Sequence, residues 1–199
     1  MAAAARRRIK QLVRVLERQP GYLAGVIDGV QLIEPRLDMA EAYGAFLQEF
    51  IDAGEAGAIF TVPDQLGDPV ESIRRLLDYA RGENLPEGWV PSSCFWLVSG
   101  QGTLLGEIHI RHRLTPGLEQ YGGHIGYMVR PGERKKGYAT EMLRLGLEKA
   151  RGIGLRRVKI TCDIGNHASS RVVEKNGGSI ESRAAGSRRH EVLHYRIDL

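Results

Sequence analysis

Long apolar runs and cysteines are both scarce in this 199-residue chain. No stretch approaches the roughly 18 consecutive apolar residues of a membrane-spanning helix, so we expect no membrane partner. The N-terminal segment carries basic residues without the long apolar core of a secretory signal. The two cysteines, Cys94 and Cys162, lie far apart and lack metal-ligand spacing. They exclude a disulfide framework, predict no metal site and favour a protein of the reducing cytoplasm.

A strong excess of charge is also missing. The chain has 28 basic and 24 acidic residues, a net charge of +4. This mild excess favours an anionic ligand and argues against nucleic acid as the main partner. Basic residues concentrate in 1–20, which we predict to be a basic helical extension, with one domain at 26–199. Binding of nucleic acid by that extension stays an alternative to a helix packed on the domain.

Hydrophobic periodicity predicts alternating strands and helices. Asp38 is a candidate N-cap for the first predicted helix of the domain, and Gly54 its end. The strand–helix–strand unit at 122–163 predicts a right-handed parallel crossover. Together the elements predict an α/β (α+β) fold with a mixed sheet flanked by helices. The predicted strands are 30–35, 94–99, 104–114, 122–131, 158–163, 179–185 and 189–198, and the predicted helices are 37–53, 69–81, about 138–152 and 166–176.

A basic loop stands directly before the helix that begins near Tyr138. The loop reads Arg134-Lys135-Lys136-Gly137. A helix N-terminus offers unpaired amides and a partial positive charge, Gly137 lets a ligand approach the backbone, and the three basic side chains can add charge-assisted hydrogen bonds. The loop therefore predicts a phosphate-binding site, although a solvated turn before a helix is the simpler alternative. Tyr138 and Ala139 stand where a P-loop requires lysine and a hydroxyl residue, which excludes that motif.

Two segments resemble the GNAT superfamily, the GCN5-related N-acetyltransferases. Arg134 to Ala139 is similar to the family signature Arg/Gln-x-x-Gly-x-Gly/Ala. Asn166 to Gly178 is similar to the family's Asn-x-x-Ser/Ala segment that ends in Glu-Lys-x-Gly. The stretch 122–143 also resembles a bacterial branch of predicted acetyltransferases with unassigned substrate. The resemblance implies the GNAT fold, a mostly antiparallel sheet with one splayed pair of strands.

The resemblance implies acetyl-CoA as co-substrate. Residues 134–140 would hold the pyrophosphate, the strand before them would pair with the pantetheine arm, and Asn166 would contact the same arm. It also implies direct acetyl transfer to the primary amine of a small molecule or peptide, and a homodimer. The implied cofactor-binding residues are Met128, Val129, Arg134, Lys135, Lys136, Gly137, Tyr138, Ala139, Thr140, Asn166 and Ser169.

The catalytic groups are less well defined by the sequence. Many family members use a tyrosine as the acid for the leaving thiolate, and Val173 stands at that position here. Candidate acids and bases on the strands are His124, Tyr127 and Tyr195, with His109 and Glu107 on the preceding strand also considered. The missing tyrosine leaves one alternative function, a GNAT-fold module that binds CoA without turnover. Cys162 is predicted to lie in the core.

Overall fold

The computed structural model describes residues 27, 29–58, 67–185 and 191–199. The predicted basic helix within 1–20 lies outside these residues. Short 3₁₀ turns occupy Leu37–Met39, Ala56–Ala58 and Pro131–Glu133. In chain order the strands and helices are β1 Val30–Ile33, α1 Ala40–Asp52, α2 Pro69–Arg81, β2 Ser92–Ser99, β3 Leu104–Arg111, α3 Pro116–Tyr121, β4 Ile125–Val129, α4 Tyr138–Ile153, β5 Arg157–Asp163, α5 His167–Lys175, β6 Ser179–Ala185 and β7 Glu191–Asp198.

The strands form two antiparallel sheets. One sheet has the order β1-β2-β3-β4, and the other has the order β5-β7-β6. Among the described residues β4 and β5 share only one bridge, between Gly123 and Ile160, and it is of antiparallel type. The predicted right-handed parallel crossover across 122–163 is therefore wrong as a connection within one sheet. The predicted splay is present instead, because the two strands belong to different sheets.

Two glycines explain how the elements fit around the splay. Gly123 has φ of +75°, and a Cβ there would lie 2.5 Å from the carbonyl oxygen of Lys159. This turn delays the start of β4 to Ile125, later than the predicted start at 122. Gly146 lets α4 approach β3, because a Cβ would lie 2.4 Å from Ile108 Cδ1. The helix that follows the splay is thereby held close against the first sheet.

The core is split between the two faces of the first sheet. The larger cluster joins both sheets to α4 and α5, and it includes Ile108, Leu143 and Cys162. Cys162 is 3% exposed, which confirms its predicted place in the core. The second cluster joins the opposite face to α1 and α2 through Phe46, Trp96 and other residues. The two faces of the first sheet are thus built against different helices.

The helix ends test the predicted caps. Asp38 is not an N-cap: it lies inside a 3₁₀ turn, and its carboxylate accepts hydrogen bonds from Arg36 instead. Gly54 does follow the end of α1, with φ of +71°. The predicted loop around 113–122 contains the short helix α3. Thr115 Oγ1 caps this helix by accepting from the Leu118 amide at 3.3 Å.

Candidate functional site

A cleft of about 710 Å³ opens where β4 separates from β5. Its walls come from the end of β4, the loop before α4, the first turn of α4 and the start of α5. Ten of the eleven residues predicted to bind the donor line it, and Lys136 is the exception. The fold thus brings the two sequence segments, separated by some thirty residues, into one cavity.

The loop before α4 turns through the left-handed region twice. Lys135 has φ of +64° and Gly137 has φ of +89°. Gly137 is the N-cap of α4 and supplies no side-chain cap. The amides of Thr140 and Glu141 bond to the Gly137 carbonyl, whereas those of Tyr138 and Ala139 belong to the first turn, which has no intrahelical acceptors. Amides at such a helix N-terminus are the kind of group that can bind an anion, and here they lie at the wall of the cleft.

The basic side chains of this loop do not act alike. Arg134 donates to both carboxylate oxygens of Glu55, at 2.8 and 2.5 Å, and to the Val129 carbonyl at 3.2 Å. Lys136 Nζ donates to Glu133 at 2.9 Å. Glu55 holds the pKa of Arg134 above its usual value, and Arg134 lowers that of Glu55. Arg134 and Lys136 are thus paired with carboxylates, and exposed Lys135 lines the cleft, while contact of these side chains with a ligand stays a prediction.

Helix α5 supplies further positive charge that sequence reasoning missed. Arg171 and Lys175 both line the cleft, one helical turn apart. Their spacing of four residues, within the helix predicted at 166–176, was the signal that could have placed them on one face. Asn166 is that N-cap, and its side-chain oxygen accepts from the Ser169 amide at 3.0 Å. The Asn166 side chain therefore orders the start of α5 beside the cleft.

The backbone of β4 faces the cleft at alternate residues. Arg130 N–H donates to the Leu105 carbonyl, and Arg111 N–H donates to the His124 carbonyl. In an antiparallel ladder this assigns the backbone groups of Met128 to β3 as well. The groups of Tyr127 and Val129 then point to the open edge. Of the predicted pair Met128 and Val129, only Val129 has its backbone directed at the splay.

A chain of hydroxyl and thiol groups leads from the cleft lining, at Tyr127 and Ser169, into the core at Cys162. Tyr127 Oη and Ser169 Oγ are 2.8 Å apart, and Ser169 Oγ lies 3.2 Å from Cys162 Sγ. Burial raises the pKa of Tyr127 well above its usual value and raises that of the Cys162 thiol. Both groups are therefore neutral at physiological pH. They can relay or donate a proton but do not offer a ready anion.

Two of the predicted catalytic residues lie away from the cleft lining. Among the described residues, His124 is absent from that lining, and its Nδ1 accepts from the Lys159 amide at 2.9 Å. Burial lowers the pKa of His124. Tyr195 is fully buried, and its hydroxyl donates to Glu174 Oε1 at 2.9 Å. Both side chains make hydrogen bonds within the fold, and their catalytic roles stay predictions.

A second, smaller cavity of about 240 Å³ lies on the face of β3 that carries the α1–α2 core. Behind its His109 wall is a buried polar cluster. Glu107 is 0% exposed; one oxygen accepts from Trp96 Nε1 at 3.1 Å, and the other from His109 Nε2 at 2.6 Å. Cys94 lies near them, and burial and Glu107 raise its pKa well above the usual value. Potential ligand atoms of these three residues lie within 4.8 Å of one another, but both Glu107 oxygens are already bonded.

Comparison with known families identifies the class of protein. The family of acetyltransferase (GNAT) domains matches residues 64–179, more than half of the chain. The chain therefore belongs to the GNAT acetyltransferases, and its acceptor is unassigned. No curated protein sequence matches it significantly.

Solved structures support the same fold. The microcin self-immunity acetyltransferase MccE, in complex with acetyl-CoA and AMP, aligns with a TM-score of 0.65 at 15% identity, over 91% of this chain and 98% of that one. The ribosomal protein acetyltransferase RimL, in complex with coenzyme A, aligns with a TM-score of 0.65 at 17% identity, over 87% and 96%. A ribosomal-protein alanine acetyltransferase from Vibrio fischeri aligns with a TM-score of 0.67 at 14% identity, over 87% and 94%. At these identities the likeness concerns the fold.

The remaining predictions concern the membrane, the cellular location, the oligomeric state and the domain boundary. Within the described residues, no helix has both the length and the apolar character needed to cross a membrane. The cytoplasmic location, the homodimer and the boundary of the domain at residue 26 stay predictions.

Proposed function

We propose that this acetyltransferase uses acetyl-CoA and transfers the acetyl group to the primary amine of a small molecule or peptide. The observation that carries the proposal is the cleft at the splay, where a strand edge, a glycine-capped helix N-terminus and basic side chains share one wall. Such a wall suits a ligand with a pyrophosphate at one end and an amide-rich arm. The structural neighbours solved with acetyl-CoA and with coenzyme A support the choice of donor.

Each part of the donor has a matching part of the cleft. The amides of Tyr138 and Ala139 would hold the pyrophosphate, and the exposed side chains of Lys135 and Arg171 would lie beside it. The outward backbone groups of Tyr127 and Val129 would pair with the pantetheine amides, as an added strand pairs with a sheet edge. The thioester would then lie toward the closed end of the splay, near the Ser169 hydroxyl.

The chain's own groups suit direct transfer. The amine nitrogen bonds to the acetyl carbon, the carbon–sulfur bond breaks, the nitrogen gives up one proton, and the thiolate takes one. An amide of β4 that faces the cleft can stabilise the oxyanion. The hydroxyls of Ser169 and Tyr127, 2.8 Å apart, can deliver the proton to sulfur. They would take the place of the family tyrosine, because Val173 at that position is 0% exposed.

The second candidate function is a CoA-binding module without turnover. Val173, which stands in place of the family tyrosine, favours this function. Val173 belongs to the packed core, because a Cβ on Gly178 would lie 2.4 Å from Val173 Cγ1. Calorimetry with acetyl-CoA, followed by assays of free thiol across a panel of amines, separates the two functions. Binding with thiol release supports transfer, and binding without release from any amine supports the module. Lack of binding at millimolar acetyl-CoA contradicts both.

Lysine substitutions test the placement of the donor. Lys135 lines the cleft, whereas neighbouring Lys136 is paired with Glu133. We expect Lys135→Ala to weaken acetyl-CoA binding by roughly 3-fold to 10-fold, since it removes one exposed phosphate contact. Lys136→Ala, which removes the same charge one residue away, should change the dissociation constant by less than about 2-fold. Equal effects of the two substitutions would mean that the phosphate position is wrong.

A further inference from the structure

The smaller cavity offers a place for the acceptor. Its lining combines Trp89, Val90 and Leu118 with Ser92, His109 and Arg111. We propose that this cavity binds the acceptor amine, that the acceptor carries an anionic group which pairs with Arg111, and that the Glu107–His109 pair takes the proton the amine loses. The proposal rests on the proposed acetyl transfer and specifies its second substrate.

The smaller cavity is close to the donor cleft. Glu107, His109 and Arg111 are alternate residues of β3, so their side chains share one face of the sheet. The register pairs Glu107 with Met128 and His109 with Gly126. Met128 belongs to the core cluster on that face and also lines the donor cleft. The cavity and the donor cleft therefore lie on two sides of the same short stretch of β4.

The distance from His109 to the edge of β4 is short. In a hydrogen-bonded antiparallel pair, the Cα atoms of His109 and Gly126 are about 5.5 Å apart. The diagonal from His109 to Met128 is about 7–8 Å. Gly126 places no side chain between the imidazole and the edge of β4. A small amine held against His109 is thus close enough to reach a thioester bound along Tyr127 and Val129.

Arg111 places a positive charge at the wall of the cavity. Arg111 is half-buried and donates to the Gly123 carbonyl at 2.9 Å. Across the described part of the chain, the recorded ion pairs include Arg130, Arg134 and Arg144 but none to Arg111. Burial lowers the pKa of this guanidinium, which still remains charged at neutral pH. A partly desolvated cation at a cavity wall favours a ligand that brings a carboxylate or phosphate.

The Glu107–His109 pair is placed to accept a proton. A buried carboxylate that accepts from His109 Nε2 at 2.6 Å fixes the orientation of the ring. The side chain of His109 is 10% exposed. As the carbon–nitrogen bond forms and the carbon–sulfur bond breaks, the imidazole receives one amine proton, and the departing sulfur takes one proton from the Tyr127 and Ser169 hydroxyl pair. Proton exchange with water then returns the imidazolium and the hydroxyl pair to their starting states. The products are the N-acetylated acceptor and free CoA, so atoms and charge balance.

The cavity also limits the size of the acceptor. Its volume of about 240 Å³ is below the roughly 300–1,000 Å³ of common ligand pockets. Trp89 forms its outer rim, 42% exposed and 5.6 Å from the ring of Tyr79. The cavity therefore suits a small amine or the end of a longer one, with an apolar part against Trp89.

A matched acceptor panel tests the anion requirement. The panel consists of the amino acids and their carboxamides, which keep the amine and remove the charge, together with phosphoethanolamine. Binding is followed through fluorescence quenching of Trp89, with Trp89→Phe as the blank, and acetylation through free thiol. We expect Arg111→Gln to lower kcat/KM for the best anionic acceptor by roughly 10-fold to 100-fold. The preference over its carboxamide should be lost, whereas Arg111→Lys keeps part of it and exposed Arg113→Gln changes nothing.

The proton role has its own readout. We expect His109→Gln to lower kcat by roughly 100-fold or more, with acetyl-CoA affinity unchanged. It should also remove the acidic limb of the pH profile, because a general base acts only when it is unprotonated. The titratable or charged groups Glu107, Arg111, Cys94 and His124 lie nearby. Glu107→Gln should give a smaller loss and shift that limb. Glu107→Asp is a second variant if the buried amide prevents folding.

Several outcomes overturn the assignment. Acetylation of an amine with Arg111→Gln and His109→Gln both as active as the unsubstituted protein would show that the acceptor binds elsewhere. A panel that is neither bound nor acetylated, while acetyl-CoA binds normally, would also refute it. Failure of acetyl-CoA to bind would instead refute the proposed function, so the two failures are distinguishable.

Discussion

Replacement of Gly137 by glutamate tests the donor site most directly. This glycine caps α4 with φ of +89° and lines the cleft. Of the described residues, a Cβ there would meet Ile27, whose Cδ1 lies at 3.3 Å. The substitution therefore introduces two separable effects, left-handed backbone strain and a negative charge beside the proposed phosphate position.

The magnitudes of the two effects differ. A non-glycine residue in the left-handed region costs roughly 1–2 kcal/mol, and Gly137→Ala measures that cost alone. A carboxylate about 6 Å from one phosphate charge is repelled by about 3 kcal/mol at an effective dielectric constant near 20. Salt at the open face reduces the repulsion to about 2 kcal/mol. This corresponds to a roughly 30-fold increase in the dissociation constant of acetyl-CoA beyond that of the alanine variant.

Titration calorimetry of acetyl-CoA measures this difference. Gly152→Glu is the matched control, because it adds the same charge to the same helix at an exposed position where no described residue lies within 4 Å of the new Cβ. Gly152 lies about 22 Å along α4 from Gly137, beyond the Debye length in physiological salt. Affinities of the glutamate and alanine variants at 137 within threefold of each other would refute the phosphate placement.

Two further substitutions test packing and the catalytic candidates. Gly146→Val should destabilise the fold by about 2–3 kcal/mol in urea unfolding, because its Cβ would lie 2.4 Å from Ile108 Cδ1. Gly152→Ala on the same helix should leave stability equal or slightly higher, and equal losses for both would refute this packing. Tyr195→Phe removes the hydroxyl that donates to Glu174. It should cost about 1 kcal/mol of stability and change kcat less than threefold, whereas a loss above 100-fold would assign Tyr195 to catalysis.

Local sequence signals predicted most of the elements. The bounds of α2 match the prediction, because Asp68 caps its N-terminus and Gly82 adopts the left-handed conformation that ends it. β4 was predicted too long, because periodicity does not reveal that the Gly123 backbone must turn to clear Lys159. The parallel pairing was wrong for the same reason: strand separation depends on tertiary packing, which a local pattern does not contain.

The site was predicted unevenly. The residues predicted from the signature around Gly137 lie in one cavity, because the motif specifies a local backbone conformation. Side-chain partners distant in sequence could not be predicted. Glu55, seventy-nine residues before Arg134, holds that guanidinium by two hydrogen bonds. Arg111 and His109 gain their setting from the α2–β2 connection and α3, which carry no motif.

The junction at Gly123 also gives the donor cleft a fixed length. His124 N–H donates to the Lys159 carbonyl at 2.7 Å and closes the gap between the sheets at that point. From His124 to Val129 there are five residue steps, or about 16 Å of extended strand. Rotation of side chains does not change this distance. The backbone therefore sets the depth of the cleft that is available to an acyl donor, and substitutions of the lining side chains leave that depth unchanged.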